Sequence, residues 1–343
     1  VHSWLQKEPV RIYLLVIVLL VLTVGIGLTG LFVGSFETSW ATIYQLLTQY
    51  DPADTSQYVI LQLRLPRLIL AFLAGGALAS VGYLIQALVN NPLADPYILG
   101  TASGAALGAN IVFFGLLPIQ VAGIYLPPVF AFLGALLVTF MAISIAYKKG
   151  QIISTQLLLG GVALSSLLTA ITSLITFLSD SEDKLRSIIF WTMGSFERAQ
   201  WSDIPLLLVI VILFTLFFSF LHKQINILLL GENRASQLGV NTSLLKWIIL
   251  GSTSLLTGIA VATCGTIGFV GLIIPHLVRG LFGATGRYNT LFSVWVGGLF
   301  MQSCDLLSRL VYPPAGLPIG IVTSFVGVPF FLYLLLGKNY RFE

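Results

Sequence analysis

Apolar blocks about twenty residues long, each followed by a short polar break, repeat along almost the whole chain. A helix rises about 1.5 Å per residue, so about 20 apolar residues are needed to cross a hydrocarbon core some 30 Å thick. That criterion predicts ten membrane-spanning helices, at 12–35, 66–89, 97–117, 124–147, 154–179, 204–222, 244–264, 268–283, 290–309 and 316–336. The eighth is short and carries Pro275, which removes a helical N–H. The first block, Ile12 to Phe32, exceeds the usual length of a signal-peptide core and is expected to persist as helix 1. The pattern predicts an all-α integral membrane protein, one polytopic domain over 1–343, with both termini on one side.

Composition and charge sharpen this picture. The chain is 57% hydrophobic and 9% charged, against about 45–50% and 25% in soluble domains, so a water-soluble class is excluded. Lys and Arg favour the cytoplasmic loops. With cytoplasmic termini, six of the 17 basic residues face outward: Arg64, Arg67, Lys184, Arg186, Arg198 and Arg309. The majority, among them Lys148, Lys149, Lys246, Lys338 and Arg341, face inward, and this bias places both termini in the cytoplasm. Acids such as Glu37, Asp51, Asp180 and Asp203 lean outward. The net +4 therefore reflects topology. No basic patch with interleaved aromatics is visible, so lipid is the expected surrounding and nucleic acid is not a partner.

Few motifs carry chemistry. Gly25, Gly27 and Gly30 spell a dinucleotide-binding pattern, but inside an apolar span with no preceding strand they are expected to be helix-packing glycines. Small residues from Ala74 to Gly82, and Gly100, Gly104 and Gly108, suit close backbone approach between helices. No phosphate-binding loop, zinc-protease motif or nucleophile elbow occurs, so neither a catalytic residue nor a resident cofactor or metal is expected. Cys264 and Cys304 lie in apolar surroundings without clustered partners and read as packing residues. His276 has no sequence partner that would make it a base or ligand, and reads as a structural histidine at the membrane interface.

Polar groups within spans are costly and so more informative. Ser165, Thr169, Thr172 and Thr176 recur at helical spacing on one face of the fifth span. Such a stripe either bonds back to helix carbonyls or lines an aqueous path. Asp305 is the only carboxylate inside a predicted span, and it lies near an end. Ion-coupled transporters and channels carry mid-membrane carboxylates or charged rings, and intramembrane enzymes carry a catalytic constellation. Neither is visible here, which points to energy supplied by another subunit. The inside segment Leu228 to Gly239 is either a short helix offered to a partner or a surface linker; the amphipathic outside segment Asp180 to Asp203, with Trp191 and Trp201, is open to the same two readings.

Several motifs together resemble the FecCD-type permeases, the membrane subunits of ATP-binding-cassette (ABC) importers for iron(III)-siderophores, haem and vitamin B12. They are Leu63–Arg67 (LRLPR), Gln86 followed by Asn90–Gly100 (NNPLADPYILG), and Trp191–Ser195 (WTMGS). Leu230-Gly231 with Ala235 and Leu238-Gly239, Gly265–His276 (GTIGFVGLIIPH) and Leu317–Thr323 (LPIGIVT) complete the set. One departure is Thr266, where many relatives carry Pro.

The resemblance implies a homodimer of ten-helix permeases in the bacterial inner membrane, with spans 2–5 and 7–10 forming an inverted repeat. It further implies two ATPase subunits that bind ATP and Mg, and an external substrate-binding protein. Carried over by position, Arg64, Arg67 and Arg309 resemble the arginines that dock the binding protein. Asn91, Leu93, Ser154 and Thr155 fall at the cytoplasmic gate, and the stripe from Ser165 to Thr176 on the path. Gly231, Glu232, Arg234, Ala235, Leu238 and Gly239 fall in the segment that couples to the ATPase. An iron-siderophore is the favoured cargo, with haem and cobalamin as alternatives. Lacking a phosphate cradle, the purified chain is expected to release no phosphate from ATP by itself; turnover matching that of a permease–ATPase complex would overturn the assignment.

Overall fold

The structure is a computed structural model that describes residues 7–336 apart from 35, 37, 52, 149, 180, 314 and 315. Of the charges weighed for orientation, Glu37, Lys149, Asp180, Lys338 and Arg341 lie outside the described residues. The helices are α1 (Lys7–Phe32), α2 (Trp40–Thr48), α3 (Thr55–Val89), α4 (Thr101–Phe114), α5 (Leu126–Ala146), α6 (Ser154–Phe177) and α7 (Glu182–Thr192). They continue with α8 (Ile204–Phe220), α9 (His222–Leu228), α10 (Glu232–Gln237), α11 (Thr242–Cys264), α12 (Val270–Phe282), α13 (Asn289–Val311) and α14 (Ile319–Leu336). Two antiparallel hairpins of two-residue strands join α4 to α5 (β1, Gln120–Val121; β2, Ile124–Tyr125) and α5 to α6 (β3, Tyr147–Lys148; β4, Gln151–Ile152).

Ten helices coincide with the ten expected spans. Among the described residues, seven spans are long and apolar enough to cross a membrane, and α4 and α12 are shorter. The largest boundary difference is in α3, which begins at Thr55 rather than at 66. The Asp54 side chain accepts from Ser56 N at 2.7 Å, and a π-helical stretch, Val59–Arg64, carries the chain onward. Arg64 and Arg67 therefore stand on a helix and not in a loop.

The helices α3–α6 and α11–α14 repeat one packing scheme. The α3–α13 contact is matched by α11–α5, α3–α12 by α11–α4, α4–α5 by α12–α13, and α5–α6 by α13–α14. The second unit begins five spans after the first, so it runs in the opposite direction, and the repeat is inverted. Almost all of α3 is buried at the centre, whereas α1 and α6 leave most of their apolar surface uncovered. Gly30 meets Leu68, but among the described residues nothing lies within 4 Å of a side chain placed at Gly25 or Gly27, so within this chain only Gly30 is seen in the expected packing role.

Each short helix follows an irregular segment that enters the bundle. Before α4, Asp95 accepts from Tyr97 N at 2.8 Å and starts a 3-10 turn, Pro96–Leu99. Before α12, the backbone passes through Phe269 at φ +70°. The two segments are joined where Ile267 N donates to the Tyr97 hydroxyl at 3.1 Å.

Gly82 of α3 lies directly against the Gly271 backbone of α12, and a methyl group there would collide with the Gly271 carbonyl. One turn farther along α3, this close approach lets Gln86 Nε2 reach the carbonyls of Gly271 and Leu272, at 3.3 and 3.2 Å. Gly271 is four residues before Pro275, the residue whose missing N–H would have bonded it. Gln86 supplies the donor that Pro275 lacks, and α12 continues through the proline. Gln86→Leu should lower stability by about 1–3 kcal/mol by orphaning a buried carbonyl. Adding Pro275→Ala should recover part of that loss, as read by thermal unfolding in detergent; equal losses with and without Pro275 would refute the account.

Candidate functional site

The hydroxyl stripe of α6 forms one wall of a cleft of about 530 Å³ between α4 and α6. Thr169, Thr172 and Thr176 line it with Ser173 of the same helix and Ser103 of α4. Ser165 does not share that lining and instead sits against Gly100. The hydroxyls divide between the two roles open to them. Thr176 bonds back to Thr172 O at 2.8 Å and Thr169 meets Ser103 at 3.5 Å, while Thr172 Oγ1 has no partner among the described residues.

Thr192 and Thr266 form a ridge shared by this cleft and a second, of about 680 Å³, lined by Met193, Gly268 and α14 residues including Ser324 and Phe325. The ridge is tied by backbone. Thr266 Oγ1 donates to Thr192 O at 2.5 Å, Ser195 N to Cys264 O at 2.9 Å, Ile319 N to Gly194 O at 3.0 Å and Gly320 N to Met193 O at 2.9 Å. The Met193-Gly194-Ser195 motif thus joins the ends of α7, α11 and α14. Ser103, Thr192, Thr266 and Ser324 lack a long repeated spacing, so periodicity alone does not single them out. No charged side chain lines either cleft among the described residues. Cys264 and Cys304 are buried free thiols, and among the described residues no group of His, Cys, Asp and Glu could hold a metal.

The structure brings Arg64, Arg67 and Arg309 to one end of α3 and α13, where Arg67 and Arg309 flank Asp305. Arg67 Nε pairs with Asp305 Oδ1 at 2.8 Å and Arg309 Nε with Oδ2 at 3.2 Å; the Asp305 side chain is fully buried. Arg309 also donates to Gly30 O and Val33 O at 3.1 and 3.0 Å. Arg64 donates to Phe32 O at 3.1 Å, Thr38 Oγ1 at 2.9 Å and the carbonyls of Leu31 and Phe36. These carbonyls belong to the end of α1 and its following loop, where unsatisfied acceptors and the negative end of the helix dipole favour cations. Arg64 is buried, and Arg67, at 15% side-chain exposure, is the most open of the three.

At the opposite end, Asn91 Oδ1 accepts from Leu93 N at 2.9 Å, so the turn after α3 is self-capped. Gly231 opens α10 at φ +97°, and Gly239 closes it at φ +85°, where Val240 N returns to Ala235 O at 3.1 Å. That left-handed position suits glycine at the end of a helix. Ala235 is fully buried inside this chain, so its small size serves the packing of α10, whereas Glu232, Arg234, Leu238 and Gly239 are exposed. Thr155 is exposed, but Ser154 accepts from the buried Lys246 Nζ at 3.3 Å. Lys246 also bonds Ile152 O at 2.8 Å and Glu232 Oε2 at 2.6 Å. It was legible in sequence only as one more inward charge.

The family model of the FecCD transport family matches residues 16–337. The hemin transport system permease protein HmuU of Yersinia pestis is 37% identical over 329 residues, covering 95% of each chain. The Fe(3+) dicitrate transport system permease protein FecD of Escherichia coli K12 is 34% identical over 325 residues, covering 94% of this chain and 98% of its own. A solved structure described as a metal-chelate type ABC transporter in an inward-facing conformation superposes with a TM-score of 0.79 at 33% identity, over 94% of this chain and 98% of that one. This chain therefore belongs to the FecCD transport family of ABC permeases.

Proposed function

We propose that this chain is the membrane subunit of an ABC importer, translocating an iron(III)-siderophore or similar metal chelate delivered by a binding protein. The observation that carries the reading is the cleft along α6: hydroxyls alternate with apolar groups and no charged side chain lines it among the described residues. Such a wall can pass a bulky chelate without trapping it at a fixed charge. Hemin and iron-dicitrate permeases among the relatives favour an iron-bearing cargo. Haem or cobalamin would suit the same wall.

The largely uncovered apolar face of α6 supports a homodimer in which a second copy completes the path. Two partner ATPases would bind ATP and Mg and seat on the exposed face of α10, through Glu232, Arg234, Leu238 and Gly239. Gly231 and Ala235 would shape that element from within. Asn91, Leu93, Ser154 and Thr155 would close the cytoplasmic end of the path, and Ser165 would brace α6 at Gly100. This arrangement sets the termini in the cytoplasm of a bacterial inner membrane. Vesicles containing the permease, its ATPase and its binding protein should accumulate iron-siderophore, haem or cobalamin only when supplied with ATP. Uptake driven by a proton or sodium gradient without ATP would assign the chain to the secondary transporters instead.

Arg64, Arg67 and Arg309 would form the docking site, three guanidinium groups against one carboxylate leaving an excess of positive charge outside. Arg67 is placed to meet a glutamate of the binding protein, with Arg64 and Arg309 adding to the field. Asp305 keeps Arg309 as its partner when Arg67 is removed, whereas losing Asp305 would break that buried pair from one side at about 3–5 kcal/mol. The informative variant is therefore Arg67→Gln, which lowers the excess positive charge by one and leaves an amide able to donate to Asp305. That variant should fold and should bind the binding protein more weakly, with a shallower dependence on salt across the range where screening beyond about 8–10 Å sets in. Unchanged affinity and salt slope would leave the cluster as an anchor for α1.

A further inference from the structure

Lys246 stands on α11 with its side chain buried, about one turn into the helix. An ammonium has three donors and no acceptor, and burial makes each unmet donor costly. All three acceptors come from outside α11: Ile152 O of β4 at 2.8 Å, Ser154 Oγ at the first residue of α6 at 3.3 Å, and Glu232 Oε2 at 2.6 Å in the first turn of α10. Neighbouring contacts reinforce one side of this junction. Ser243 Oγ donates to Gly150 O at 3.4 Å, and the Trp247 ring meets Tyr147 edge-on at 5.9 Å. The β3–β4 turn that launches α6 is thereby fastened to α11 at three points. Glu232 is the one link in the cluster that reaches α10, and its side chain is 42% exposed.

We propose that Lys246 is a positioning residue that makes the start of α6 follow movements of α10. When α10 is displaced, the Glu232 carboxylate draws on the ammonium, and the ammonium holds Ile152 and Ser154. The segment next to Thr155 then shifts with it. The charged pair suits this task because α10 and α6 share no hydrogen bond of their own among the described residues; a buried lysine with three acceptors communicates between them. The inference rests on the reading that α10 faces an ATPase, and its test separates the two.

In the isolated permease, Lys246→Met and Glu232→Gln should each speed amide hydrogen exchange over residues 152–157, and Lys246→Arg should restore part of the protection. This measurement needs no ATPase. In the permease–ATPase complex, Thr155→Cys reports on the start of α6 against a low background, because Cys264 and Cys304 are buried. Its labelling rate by a water-soluble maleimide should differ between nucleotide-free and ATP-bound states. Lys246→Met should make the two rates equal while ATP hydrolysis persists, and Lys246→Arg should bring part of the difference back. A complex that hydrolyses ATP and keeps the full difference in Lys246→Met overturns the proposal. So does one whose unmutated Lys246 background shows no difference at all, or unchanged exchange in both single variants. Should no ATPase associate, the proposed function fails while the exchange data still decide whether Lys246 links α10 to α6. A variant recovered only as aggregate is replaced by Ser154→Ala, which removes one acceptor and should narrow the difference in labelling.

Discussion

A broken helix can lie inside a membrane protein only if other parts of the chain bond the backbone groups it frees. The fold depends on this constraint at α12, where Pro275 deprives Gly271 of its helical donor and Gln86 of α3 replaces it at 3.3 Å. The replacement is possible because Gly82 and Gly271 carry no side chains and allow α3 and α12 to touch. The same inverted arrangement places the entry to α4 beside the entry to α12, and the Tyr97 hydroxyl accepts from Ile267 N across the gap. The central position of α3 follows, since it is the helix that serves both units.

Polar side chains obey the same rule at the two ends of the bundle. Asp305 is buried between Arg67 and Arg309, and Arg64 together with the Nη1 of Arg309 satisfies the carbonyl end of α1. At the other end Lys246 finds three acceptors from two different segments. Between these clusters lies the weakly polar surface of α6, whose hydroxyls can bond back to their own helix when nothing else is present, as Thr176 does. A wall of this kind can be wetted without a fixed charge, which suits a moving cargo better than a bound one.

Several sequence features translated directly into structure. The apolar blocks placed ten helices, and the +4, +3, +4 spacing of Ser165, Thr169, Thr172 and Thr176 placed their hydroxyls on related faces of α6. The start of α3 escaped, because Gln57, Gln62 and Arg64 interrupt the apolar run although Asp54 caps the helix well before it. Ser165 belongs to the periodic stripe yet packs on Gly100, a partner brought by the fold and not by local spacing. Thr192 and Thr266 carry no repeating pattern, but backbone ties between distant segments bring them together on one ridge.

By itself, the sequence determined that this protein is an all-helical membrane bundle, which helices cross, and which family it resembles, because hydropathy along a single helix is a local property. Tertiary structure alone decided the partners of its scarce charges. Arg64, Arg67 and Arg309 read as outward cations in sequence, but they turn inward to a carboxylate and to the carbonyls of α1. Ala235, small enough to suit a contact surface, is buried within its own chain, and Lys246 proves to join three elements. A charge in a low-dielectric interior goes where acceptors converge, and that convergence comes from segments far apart in sequence.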